Sequence, residues 1–135
     1  MNKIKHLEFI ENVVERMARN SLRFKEFALA IASICTTILC STNVNKHMIL
    51  LLILPMLACW FLDARYLLEE RKFRKLYDVV RVKTETEIDY SMNPNECSNK
   101  IGDKKYCIVN CLFSWSVSLF YLILIGLIVV AFFLI

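Results

Sequence analysis

The sequence predicts an all-α membrane protein with three transmembrane helices, preceded by an amphipathic cytoplasmic helix. Three observations support this fold class. The chain of 135 residues is 57% hydrophobic and contains only two glycines and two prolines, so it has too little polar surface for an ordinary soluble domain. Several apolar runs approach the length needed to span a bilayer. Basic residues flank these runs, which explains the net charge of +4 better than a nucleic-acid partner does.

Residues 1–20 are expected to form the amphipathic cytoplasmic helix. Their apolar residues recur at spacings of three and four, while Glu8, Glu11 and Glu15 take the other side. The segment is too charged to span a membrane, so we expect it to cover other helices, with a position on the lipid surface as the alternative. Asn20 and Ser21 are expected to cap the helix that follows.

Residues 21–66 are predicted to form a transmembrane helical hairpin. The charge-free run 27–40 gives the first span, and 41–47 is a short turn that reverses the chain. Small residues at every fourth position of the first span predict close helix packing, with a conduction path as the alternative: Ala28, Ala32, Thr36 and Cys40. In the second span, Pro55 predicts a kink, and Trp60 and Tyr66 are expected to anchor the exit at the membrane surface.

Residues 67–105 are expected to lie in the cytoplasm, where the second span continues as an extended helix. Its apolar stripe needs a partner, and the N-terminal helix is the nearest candidate. Asp63, the first ionised residue after the apolar run, is expected to pair with Arg23 or Lys25 at the matching depth. Apolar and polar residues then alternate over 80–92, which predicts a strand or a loop, and 93–103 is rich in turn-forming residues.

Residues 106–135 are predicted to form the third transmembrane helix. No charged residue occurs in this segment, and 117–135 alone supplies 19 residues. A polar face recurs along its first half: Asn110, Ser114, Ser118 and Tyr121. This face could line a water path in an oligomer or hydrogen-bond to the other helices, and packing is the favoured interpretation.

The distribution of Lys and Arg predicts the orientation of the chain in its membrane. Six precede the first span through Lys25, one lies in the turn 41–47, and ten lie in 65–105. Because basic residues are retained in the cytoplasm, we expect the N-terminus inside and the C-terminus outside.

The residue types do not predict catalysis, a cofactor or a metal site. No phosphate-binding glycine loop and no nucleophile–base pair can be assembled, and the six cysteines form no C-x-x-C pair. A cytoplasmic basic patch has two interpretations, contact with lipid headgroups, which is favoured, or a phosphate-bearing ligand. Its members are Arg71, Lys72, Arg74, Lys75, Arg81 and Lys83.

The chain resembles a family of small bacterial multi-pass membrane proteins. The resemblance rests on FIENVVERMARNS, WFLDARYLLEERKFRKLYDVV, IDYSMN and SWSVSLFYLILIGLIVV, and the second of these is its most specific part. It implies a membrane effector of anti-phage defence that acts on membrane integrity when infection is sensed. The matching motif positions at the membrane exit carry no assigned biochemical role: Asp63, Tyr66, Glu70, Arg71, Phe73, Arg74 and Tyr77.

Three functions are therefore expected from the sequence. The first is an oligomeric effector that forms a pore or channel and compromises the inner membrane. The second is a non-enzymatic anchor that recruits a cytoplasmic protein through the helix 65–80. The third is a membrane receptor that binds a nucleotide signal on the basic patch.

Overall fold

The computed structural model describes residues 2–41, 47–95 and 106–134. Their regular elements are all helical, as predicted: α1 (Lys3–Leu39), α2 (His47–Val82), a 3-10 turn (Glu85–Glu87), α3 (Ile108–Leu112) and α4 (Trp115–Leu134). Most of the predicted turn 41–47, and the later part of the turn-rich segment 93–103, lie outside the described residues.

Helix α1 runs without interruption through the position where a new helix was expected to start. Its N-cap is Asn2, whose side chain accepts a hydrogen bond from the Ile4 amide, and it continues to Leu39. The predicted boundary at Asn20 and Ser21 is therefore wrong. Ser21 is buried in mid-helix, and its hydroxyl bonds to Asp63 instead of capping a helix terminus. The amphipathic segment and the first apolar run form one helix.

Helix α2 is also continuous, and it carries the apolar run directly into the charged segment as predicted. Pro55 lies inside it, and the helix ends at Val82. It packs antiparallel to α1, because Ser21 meets Asp63 while Ile10 clusters with Leu76 and Val80 further along. The apolar stripe of the extension is therefore covered by the N-terminal part of α1, as expected.

The strand interpretation of 80–92 is wrong for this part of the chain, which forms a loop. Residues up to Val82 belong to α2, and Thr84 is the N-cap of the 3-10 turn, where the Glu87 side chain accepts hydrogen bonds from the Thr84 amide and hydroxyl. The loop then folds back so that Ile88 is buried against Ile10 and Val80. The alternation over 80–92 therefore reflects a helix end and a folded loop, not a pleated segment.

The third predicted helix is divided into α3 and α4 by a break at Phe113 and Ser114. The Phe113 amide still bonds to the Val109 carbonyl at 3.1 Å, but the Ser114 carbonyl starts a new ladder by accepting from Val117 and Ser118. Helix α4 is the one described helix that is long and apolar enough to cross a membrane, over Trp115–Phe133. The charged residues of α1 all precede Phe27, and those of α2 all follow Leu62.

The buried residues form two clusters, one at each end of the α1–α2 hairpin. The larger cluster joins the apolar halves of α1 and α2 to α3 and α4, and includes Ala28, Cys35, Met56 and Tyr121. The smaller cluster lies in what we call the stalk, formed by residues 3–20, 65–82 and the loop 83–95, and is built on Ile10, Leu76, Val80 and Ile88. The boundary between the two clusters carries the polar residues described next.

Candidate functional site

The boundary between the clusters holds a buried ion pair. Asp63 is fully buried on α2, and the Lys25 ammonium on α1 lies 3.0 Å from its Oδ2 and 3.3 Å from its Oδ1. The Ser21 hydroxyl, one helical turn before Lys25, donates to Oδ1. The predicted pairing of Asp63 with Lys25 is therefore confirmed, whereas no described contact joins Asp63 to Arg23. A buried carboxylate needs this compensation because desolvation of an unpaired charge costs several kcal/mol.

Helix α4 meets this boundary through Tyr121. The Tyr121 side chain is fully buried, and its hydroxyl is near enough to the Asp63 carboxylate to interact with it. Its ring stacks on the indole of Trp60, with centroids 5.8 Å apart and planes 8° apart. Two residues of α1 and one of α4 therefore approach one buried carboxylate of α2: Ser21, Lys25 and Tyr121.

A second set of contacts holds the break between α3 and α4 against α2. The Trp60 indole N–H donates to the Leu112 carbonyl at 3.2 Å, which satisfies an acceptor at the end of α3. One turn into the stalk, the Arg71 guanidinium donates to the Ser114 hydroxyl at 3.0 Å and lies 3.6 Å from the Cys111 sulfur. The broken third helix is thus fixed to α2 at two levels.

The structure separates the residues of the predicted polar face instead of aligning them. Asn110 is exposed on α3, Ser114 contacts Arg71 in the break, Ser118 is half-buried on α4, and Tyr121 lies in the protein interior. The contacts of Ser114 and Tyr121 are contacts between helices of one protomer. The water-path interpretation of this face stays a prediction.

The residues of the membrane-exit motif divide between the inside and the outside of the hairpin. Tyr66 stacks on Phe24 of α1 with centroids 5.4 Å apart, and Phe73 and Tyr77 pack against the stalk cluster. Arg74 pairs with Glu70 at 2.8 Å on the surface. The predicted surface anchors Trp60 and Tyr66 therefore both make ring contacts with neighbouring helices. Motif spacing alone does not distinguish these inward contacts from lipid contacts.

The predicted basic patch is divided by internal contacts. Arg71 is engaged at the helix break, Lys72 pairs with Glu69 at 3.1 Å, and Arg74 pairs with Glu70. Arg74 also lines an open groove of about 630 Å³ between α1 and α2, together with acidic residues: Glu11, Glu15 and Asp78. Lys75 and Lys83 line a second surface depression with Asp78 and Glu87. Acidic side chains therefore lie beside the basic side chains that would have to bind a phosphate ligand.

The far end of the stalk is closed by contacts that the sequence did not indicate. The Lys3 ammonium donates to the carbonyls of Arg81 at 2.9 Å and Lys83 at 2.7 Å, where α2 ends. His6 is fully buried, with neither ring nitrogen hydrogen-bonded to a described residue, and its ring meets Tyr90 edge-on at 5.5 Å. Tyr90 adopts a left-handed backbone conformation with φ of 56°. The sequence feature that could have predicted these contacts is the spacing of Lys3 and His6, which places both residues on the buried face of α1.

The loop after α2 contains a carboxylate with an altered pKa. Glu87 accepts hydrogen bonds from the Thr84 amide at 3.1 Å and the Thr84 hydroxyl at 2.9 Å. These bonds lower the pKa of the Glu87 carboxyl, with the backbone bond contributing most. Within the described residues, no three His, Cys, Asp or Glu side chains are placed to hold a metal ion.

Comparison with known proteins found no family model, no curated protein and no solved structure that matches this chain.

Proposed function

We propose that the chain is an inner-membrane protein of bacteria that crosses the bilayer three times. The observation that carries this proposal is an apolar belt of outward-facing side chains on three helices. In α1 the belt includes Phe27, Leu29 and Ile34; in α2, Leu54, Leu57 and Phe61; and in α4, Leu122, Leu127 and Phe133. Contiguous exposed apolar surface of this kind marks contact with lipid or with another protein.

The proposed orientation places the stalk in the cytoplasm and the C-terminus outside. Its support is the excess of Lys and Arg in the stalk segments over the turn 41–47. Fusion of alkaline phosphatase after residue 135 should give active enzyme, while fusion of the same reporter after residue 90 should give inactive enzyme. Activity of the residue-90 fusion would contradict the orientation.

The proposed activity is that of an oligomeric effector which compromises membrane integrity during anti-phage defence. It is supported by the family resemblance and by the apolar belt, which offers surface to further copies. An oligomer is required because three helices cannot enclose a water-filled pore. The sensing part would be the stalk, because it carries most of the charged residues and connects directly to two of the proposed spans.

Two observations rank this activity above the alternatives. The anchor hypothesis needs a free apolar stripe on the helix 65–80, but Leu76 and Val80 are buried against Ile10. The nucleotide hypothesis needs unpaired cations, but Lys72 and Arg74 pair with Glu69 and Glu70. The anchor alternative therefore requires contacts of the stalk to be broken first, and the nucleotide alternative would have to rely on the remaining cations of the patch: Lys75, Arg81 and Lys83.

A membrane-potential dye tests the proposed activity in bacteria that express the chain. We expect depolarisation after phage challenge and a stable potential in unchallenged cells. Ser118→Leu should reduce the depolarisation if the polar face of α4 lines the path. Ser116→Leu serves as the matched control, because it adds the same volume at an exposed position of the same helix. An unchanged potential in challenged cells that the chain protects would refute the proposal.

A further inference from the structure

The break between α3 and α4 exposes large apolar side chains at a fixed place. Val109 is 52% exposed, Phe113 71% and Trp115 79%. Trp115 is the first residue of the candidate span, and Phe113 is the C-cap of α3. Burial of such side chains is favourable, so a cluster of them that is exposed at one place on the protein requires an explanation.

The outward direction of these side chains is set by contacts on the inner side of the same break. Cys111 is buried, the Leu112 carbonyl accepts from Trp60, and the Ser114 hydroxyl accepts from Arg71. The contacts of these three residues hold the inner side of the break against α2. Phe113 and Trp115 therefore point away from the protein because their neighbours are held against it.

The exposed group is continuous with the apolar surface of α4. Leu119, Leu122 and Ile123 are exposed in the following turns, so an apolar surface runs from Phe113 along the span. The aromatic residues that the sequence suggested as anchors are occupied elsewhere, since Trp60 stacks on Tyr121 and Tyr66 on Phe24. Trp115 thus has no comparable described ring partner and lies at the cytoplasmic end of the proposed span.

We propose that Val109, Phe113 and Trp115 form an interfacial anchor that inserts into the boundary between lipid headgroups and acyl chains. An indole fits this layer because its ring is apolar while its N–H can donate to a headgroup or to water. The anchor would fix the depth at which α4 enters the bilayer. This inference rests on the proposed function only in requiring that α4 span the membrane.

The two tryptophans of the chain make the proposal testable by fluorescence. The full chain is reconstituted in phosphatidylcholine–phosphatidylglycerol vesicles that contain phosphatidylcholine brominated either near the headgroup or near the chain ends. Trp60→Phe leaves Trp115 as the only tryptophan. A residue buried about 5–10 Å into the interface should be quenched about twofold more strongly by the shallow bromines than by the deep ones.

A second measurement checks that the Trp115 result does not depend on a structural change caused by Trp60→Phe. The difference between the native chain and Trp115→Phe gives the Trp115 signal with Trp60 in place, and it should show the same preference for shallow bromines. The remaining Trp60 emission in Trp115→Phe should be quenched less, because Tyr121 stacks on that ring.

Three outcomes would overturn the anchor. Stronger quenching of Trp115 by aqueous iodide than by bromines would place it in water, and stronger quenching by deep bromines would place it in the core. Protection from all quenchers would show that another protein surface covers it. The span is tested separately by Leu127→Trp in a Trp60→Phe/Trp115→Phe background. Failure of deep bromines to quench that residue would refute the span, whereas the Trp115 result decides the anchor.

Discussion

The two halves of the α1–α2 hairpin have similar inner faces and opposite outer faces. In the stalk, Ile10 packs on Leu76 and Val80, while Glu8, Glu11 and Glu15 face outward. In the apolar half, Ala28, Cys35 and Met56 are buried, while Phe27, Leu29 and Ile34 face outward. The outer face of this pair of helices therefore changes from charged to apolar, while both inner faces remain apolar and buried.

This difference separates the two kinds of information in the sequence. The inner face specifies which helices pack together, and it persists across the boundary. The outer face carries residues suited to the surroundings of each segment. Its residue types change from charged to apolar within a few residues of Lys25 and Asp63. The Lys25–Asp63 pair lies at the level where the outer face changes from charged to apolar residues. Substitutions at the boundary and in the stalk should therefore have separable effects.

Asp63→Ala should have the largest effect, because it leaves the partly buried Lys25 ammonium without its carboxylate. We expect a loss of about 3–5 kcal/mol in the free energy of unfolding, measured by circular dichroism in detergent. The double variant Asp63→Leu/Lys25→Met removes both charges and should recover most of that loss. Glu15→Ala, which breaks an exposed pair with Arg19, should cost less than about 1 kcal/mol. Equal effects of Asp63→Ala and Glu15→Ala would contradict the structural role of the buried pair.

Ile10→Ala should produce the next largest effect, confined to the stalk. Removal of a fully buried side chain leaves a cavity and costs about 2–5 kcal/mol. Amide hydrogen exchange should accelerate in residues 3–20 and 65–82 and stay unchanged in α4. Phe9→Ala is the control, because Phe9 is half exposed on the same helix. Uniform acceleration over the whole chain would show that the two clusters unfold as one unit.

Lys3→Met should have a smaller effect, because it removes a charge from the end of α2 but keeps an apolar side chain of similar length. Contacts of this kind are worth about 0.3–1 kcal/mol. Exchange of the amides in the last turn of α2 should increase. Lys5→Met provides the comparison, since Lys5 is an exposed residue of the same helix with the same charge. If both variants behave alike, the Lys3 contacts with the Arg81 and Lys83 carbonyls do not stabilise the helix end.

The smallest effect concerns Glu87 and pH. The pKa of its carboxyl is lowered in the folded loop, so the capping box contributes fully above the usual glutamate pKa. That contribution is lost as the pH falls through the lower folded value. Thr84→Ala removes the hydroxyl donor but keeps the amide donor, so the pKa of Glu87 should rise part of the way toward its usual value. Thr86→Ala leaves both donors in place. If an NMR titration gave the same pKa of Glu87 in Thr84→Ala and in Thr86→Ala, the capping role would be contradicted.

The sequence predicted the packing partners better than the ends of the helices. The stripe on α2 and the amphipathic pattern of α1 predicted their contact, and equal depth predicted that Asp63 pairs with Arg23 or Lys25. Both follow from the need to cover apolar faces and buried charges, which residue types reveal directly. The water-path face of α4, the assembly and the activity stay predictions.

The ends of the elements depended on contacts that are distant in sequence. Ser21 has the residue type of a helix cap, but Asp63, 42 positions later, takes its hydroxyl. The break at Ser114 has no glycine or proline, and its contacts come from Arg71 and Trp60 on another helix. At 80–92, an alternating pattern coincides with a helix end and a folded loop. Local patterns are ambiguous at such positions because tertiary contacts decide them.

The unbroken course of α1 has a mechanical consequence. Its 37 residues form a continuous helix about 55 Å long at 1.5 Å per residue. The helix has no break near Lys25, where charged residues give way to apolar ones. A tilt imposed on the helix near Lys3 would therefore also move Leu39, because no break in α1 separates the two ends. Helix α4 begins instead at the break at Ser114, which Arg71 and Trp60 of α2 hold in place, so a movement of α2 would reach α4 through these side-chain contacts.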